Sequence, residues 1–136
     1  MKIYKTVTYA FAIAVLMLTV QCTSNNKQLH KELTKRAAEL NQSAPVALEV
    51  HTRFDSVGVT PDNVFQYYYT ITNIDNPSEL LRNHKDEMLK SIDEKYATDK
   101  SLQFFIQNNV KMEYIYRDTG MNVIDVITID TGKYKK

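Results

Sequence analysis

The chain has 136 residues, with 17 Lys and Arg against 16 Asp and Glu, for a net charge of +1. A balance so near zero supplies no strong field for nucleic acid. One Cys, three Gly and no Trp exclude a disulfide framework, a cysteine metal cluster and Gly-rich phosphate loops.

Lys2 and Lys5 open the chain, an apolar run follows from Val7 to Val20, and then comes Cys22. The run is short for a membrane span, which needs about 20 residues, and fits the core of an export signal. Leu18, Thr19, Val20 and Gln21 before Cys22 resemble the lipobox of bacterial lipoproteins in a degenerate, Bacteroidota-like form. The family pattern has a branched apolar residue three before the cysteine and a small one directly before it; Thr19 and Gln21 stand there. The resemblance implies cleavage before Cys22, acylation of Cys22 and anchoring in the cell envelope. It divides the chain into a signal peptide (1–21), a tether (22–26) and one domain (27–136). Thr23 to Lys27 lack the acidic cluster of surface-exported lipoproteins, which implies a periplasm-facing protein. Thr23 in place of Asp is compatible with the outer membrane.

In the domain, Leu29, Leu33, Ala37 and Leu40 recur at helical spacing, predicting an amphipathic helix over 27–40. Val46 to Val59 alternates as one long half-buried strand, with a phase slip at Ser56 and Val57 that predicts a bulge. Val64 to Ile74 is a second strand, paired with the first as a hairpin. Asn76, Pro77 and Glu79 start a helix carrying Leu81, His84, Met88 and Ile92 along one face. A shorter helix from Thr98 or Asp99 ends at Asn108 or Asn109. Val110 to Arg117 and Met121 to Ile129 form a second hairpin around Asp118, Thr119 and Gly120, the last strand central. Thr131 to Lys136 reads as a frayed tail. The expected fold is α+β, in the order αββ-αα-ββ, with a four-stranded antiparallel sheet covered by helices on one face.

Glu49, His51, Arg53 and Asp55 recur at a two-residue period, the most acid–base-like set present. The same spacing describes a solvated strand face with locally paired charges, so no catalytic residue is assigned. His30, His51 and His84 lack metal-ligand spacing, and no metal or cofactor is expected. No serine lies in a Gly-x-Ser-x-Gly or Ser-x-x-Lys setting. Tyr67, Tyr69, Tyr114 and Tyr116 are placed on the helix-covered face, and Gln66, Tyr68 and Thr70 on the open one. Those three are the expected protein-binding surface.

Leu40-Asn41 before Pro45, Thr52 to Val57, and Phe65, Tyr67, Tyr69, Tyr114 and Tyr116 resemble small exported bacterial proteins without an assigned activity. The functional expectation is a non-enzymatic lipoprotein acting through protein–protein contact, with an inhibitor or immunity-type protein as its narrower version. A module holding a small apolar or lipid ligand between sheet and helices is the alternative.

Overall fold

The structure, a computed structural model, describes residues 24–136. Helix α1 covers residues 24–41. Leu33 and Ala37 bury its inner face and Leu29 packs beside them, but Leu40 is 38% exposed, so the apolar stripe ends one turn early. Residues 24–26, expected within the tether, are helical.

The long strand expected over Val46 to Val59 is two strands, β1 (Val46–Glu49) and β2 (Thr52–Val59), folded back at Val50 and His51. Neither turn residue has a positive φ. The turn is therefore not of the Asn-Gly kind that a sequence announces. A bulge between Ala47 and Glu49 accompanies the reversal. The bulge expected near Ser56 is present: Phe54 pairs with Tyr69 and Ser56 with Tyr68, leaving Asp55 as the extra residue.

Next come β3 (Phe65–Ile71), α2 (Pro77–Thr98), a 3-10 turn (Lys100–Leu102), α3 (Gln103–Gln107), β4 (Lys111–Arg117) and β5 (Val123–Asp130). Asn76 caps α2 as its sequence predicts, its side chain accepting from Glu79 N at 3.3 Å. Asn109, in the left-handed region at φ 51°, follows α3. The expected face of α2 is corrected at His84, which lies exposed beside Glu87; Leu81 and Tyr96 are the buried positions.

The expected four-stranded antiparallel sheet is corrected to five strands in the order β1-β2-β3-β4-β5, of mixed direction. β3 and β4 pair in parallel from Phe65 with Met112 to Thr70 with Arg117, while the other pairs are antiparallel. The helices between β3 and β4 carry the chain back to the end where β3 began, so β4 must run the same way. β5 is an edge strand rather than a central one.

The parallel register sets tyrosines side by side. Tyr67 stacks on Tyr114 and Tyr69 on Tyr116, each pair with centroids 5.3 Å apart. The Tyr114 hydroxyl lies 2.9 Å from that of Tyr96 on α2. This face joins the core formed by Leu33, Phe65, Phe105 and Met112. The tail is docked, not frayed. Thr131 is fully buried, its hydroxyl within bonding distance of Phe105 O (3.0 Å) and Val110 O (2.8 Å). Tyr134 stacks on Tyr96 at 5.1 Å.

Burial pushes Tyr67 and Tyr116 up to about 12, and raises Tyr69, Tyr96 and Tyr114 as well. The fold thus favours neutral phenols. Their contribution is complete below the ordinary tyrosine value of 10.0 and is lost as pH rises through the folded values. Alkaline titration should show cooperative unfolding coupled to the late-ionising tyrosines, and Tyr69→Phe should move that transition to higher pH. Ionisation of every tyrosine near the ordinary value, with the fold intact, would contradict the buried stack.

Candidate functional site: the open sheet face

Strand alternation turns Arg53, Gln66, Tyr68, Thr70, Glu113, Ile115, Arg117 and Val126 away from the tyrosine stack. The bulge adds the Asp55 carboxylate to this face. Asp55 Oδ1 accepts from Arg53 Nε at 2.6 Å, and Oδ2 accepts from Thr70 Oγ1 at 2.5 Å and from Arg117 Nη2 at 3.1 Å. Burial alone would raise the Asp55 pKa; the bonds from Thr70, Arg53 and Arg117 outweigh it and hold the carboxyl below its ordinary value.

From Arg117 the network continues along the face. Its guanidinium sits 4.9 Å from the centre of the Tyr68 ring, a cation–π contact. The Tyr68 hydroxyl donates to Gln66 Oε1 at 2.9 Å, and Gln66 Nε2 donates to Glu113 Oε2 at 2.7 Å. One connected chain of side chains therefore crosses β2, β3 and β4. Arg117 Nε is buried without a hydrogen-bond partner, a local cost inside an otherwise satisfied set. Ile115 is only 7% exposed although it faces away from the helices.

The three residues expected to contact a partner all belong to this network, in different roles. Gln66 and Tyr68 are half-buried. Thr70 is 1% exposed and holds Asp55 from beneath, so it positions the surface without being part of it. Sequence reasoning missed Arg117, which lies 62 residues from Asp55 along the chain; no local pattern links them. Cys22 lies outside the described residues.

The acid–base set is taken apart by the β1–β2 turn. Glu49 is on β1 and near enough to the helix-side Tyr116 to raise its pKa. His51 lies in the turn with Nδ1 3.0 Å from Thr72 O, and only Arg53 and Asp55 remain together, as an ion pair. His30 Nδ1 lies 2.8 Å from Asn63 Oδ1. Among the described residues, no group of three or more His, Cys, Asp or Glu is placed to hold a metal ion.

A concavity of about 420 Å³ lies where the ends of α2 and α3 meet the tail. Its lining includes Tyr96, Ile106 and Gln107 with Lys133, Lys135 and Lys136, and contains no acid. Among the described residues, no helix is long and apolar enough to cross a membrane.

Residues 28–124 match the family described as "Domain of unknown function (DUF8479)", and the chain belongs to it. No curated protein matches the chain. Three solved structures share the fold at low identity. PA3611 of Pseudomonas aeruginosa, a protein inferred to be secreted, is 14% identical with a TM-score of 0.70, over 81% of this chain and 96% of that one. EpsS, a pilotin of the Vibrio vulnificus type 2 secretion system, is 13% identical with a TM-score of 0.59, over 83% and 97%. AspS, a type II secretion pilotin of Vibrio cholerae, is 12% identical with a TM-score of 0.57, over 80% and 94%.

Removing the Asp55 carboxylate leaves Arg117, only 15% exposed, without its counter-charge. Asp55→Ala should destabilise the domain by about 2–4 kcal/mol in urea unfolding. Because the Asp55 pKa is depressed on folding, its contribution is complete above the ordinary aspartate value of 3.8 and is lost as pH falls through the folded value. Asp55→Asn should flatten the stability profile in that acid range. An unchanged acid limb would assign the acid sensitivity to other groups.

Proposed function

We propose that this protein is a lipid-anchored envelope protein of pilotin type. In this reading residues 1–21 direct export, Cys22 carries the lipid after cleavage, and the domain faces the periplasm from the outer membrane. It acts without catalysis, holding a protein component of a type II secretion system. The observation that carries the reading is the fold likeness to two pilotins, spanning 83% and 80% of this chain and nearly all of each pilotin. The signal-like start and Cys22 agree with it.

The open sheet face is the proposed contact surface. Gln66 and Tyr68 are its polar and aromatic contact groups, with Thr70 fixing Asp55 beneath them. Tyr68 suits a protein contact because its ring is already immobilised against Arg117 and its hydroxyl oriented by Gln66. Little side-chain entropy remains to be lost on binding. Val126, 42% exposed on the same face, adds apolar area.

The test is site-specific photocrosslinking in the native host. A photoreactive phenylalanine replacing Tyr68 should give a discrete adduct with one secretion-system protein. The same group replacing Lys90, exposed on α2, should not. Deletion of the gene should lower the amount of that partner in the outer membrane. Equal crosslinking from both positions, or an unaltered partner in the deletion strain, would refute the proposal.

A further inference from the structure

We infer that the domain stands on the bilayer by one particular end, and that the lysine-lined concavity at that end receives the phosphate of an anionic lipid headgroup. The inference rests on the proposal that Cys22 carries a lipid. Cys22 precedes Ser24 by two residues, so covalent geometry limits their Cα separation to about 8 Å. The chain is helical from residue 24 and is fastened almost at once, since Asn63 Nδ2 donates to Asn26 O at 3.3 Å and Asn63 Oδ1 meets His30 Nδ1. That bond-length limit keeps Cys22 within reach of the start of α1, and the β2–β3 turn that carries Asn63 lies beside that start.

Pairing carries this location across the molecule. Phe65, just after that turn, is in register with Met112 at the start of β4, and Lys111 with Asp130 at the end of β5. Phe65 also packs on Phe105 of α3 at 4.9 Å. Thr131 then ties the tail to Phe105 and Val110, and Lys135 Nζ donates to Gln107 O at 3.2 Å. The β2–β3 turn, α3 and the tail thus share one end of the sheet. The opposite end, with Val50 and Met121, lies about 20 Å away, the length of a seven-residue strand.

Charge selects the ligand. Lys133, Lys135 and Lys136 line the concavity without an acid among them. Asp93, which is not in the lining, pairs with Lys133 at 3.1 Å and accepts from the Tyr134 hydroxyl. Lysines held within a Debye length of an anionic surface act together on headgroup phosphates.

The test uses the full-length protein, purified from membranes and placed in vesicles whose headgroups carry a nitroxide quencher. Mass spectrometry first reads the acyl mass on Cys22. A fluorophore then goes on an introduced cysteine at Pro61→Cys, exposed in the β2–β3 turn, or at Met121→Cys, which is the sole free thiol once Cys22 is acylated. The Pro61 label should be strongly quenched and the Met121 label little. Phosphatidylglycerol vesicles should quench the Pro61 label more than phosphatidylcholine vesicles do. Lys133→Gln with Lys135→Gln should remove that difference, at roughly fivefold in surface affinity per lysine. Equal quenching from both ends, with the acyl mass present, would overturn the orientation alone. Equal quenching in the two lipids would overturn the headgroup contact. A missing acyl mass would overturn the anchor and with it the orientation.

Discussion

Parallel pairing of β3 with β4 is the constraint from which both faces of the sheet follow. In register, it sets Tyr67 by Tyr114 and Tyr69 by Tyr116 on the side where the helices lie. The same register sets Thr70 beside Arg117 on the other side, which lets the Asp55 bulge bind both. A shift by one residue would turn the tyrosines outward and scatter the Asp55 partners together. The aromatic stack and the polar network are therefore two readings of one register.

The two faces solve the burial problem differently. On the helix side, apolar and aromatic area leaves water, and the hydroxyls of Tyr96 and Tyr114 pair with each other. Among the described residues no helix packs on the open side, yet Ile115 is 7% exposed. Long side chains around it, Tyr68 and Arg117 among them, provide the cover, with their alkyl and ring surfaces below and polar ends bonded to one another. Partial desolvation of Arg117 and Asp55 is costly, and their mutual bonds offset much of it. The gain of such a network is a surface with few alternative arrangements.

Much of this was legible in the sequence where the signal is local. Asn76 with Pro77 and Glu79 marked α2, the phase slip marked the Asp55 bulge, and alternation sorted Tyr67 and Tyr69 from Tyr68. The failures share a cause. The Val50-His51 turn carries no glycine or asparagine, and apolar alternation runs through it without a break, so one strand was read for two. The relation between the two hairpins is a property of the connecting helices, which periodicity does not encode. The tail looked polar and frayed because its anchor is one hydroxyl, Thr131, whose partners are backbone carbonyls 21 and 26 residues upstream. Arg117 was invisible for the same reason: its value lies in a partner that only the folded register brings near.

The likeness to PA3611, EpsS and AspS, at 12–14% identity, is one of fold. In this chain that fold gives a sheet with one helix-covered face and one open face. The open face of this chain is set by its own side-chain contacts. Asp55 acts there only because a bulge turns it outward, Thr70 only because it is buried below, and Tyr68 only because Arg117 holds it. In the proposed contact, a face built this way would offer a partner a fixed aromatic plane flanked by paired charges. Its selectivity would come from the desolvation that a mismatched partner imposes on the Arg53–Asp55–Arg117 set, more than from the area of contact.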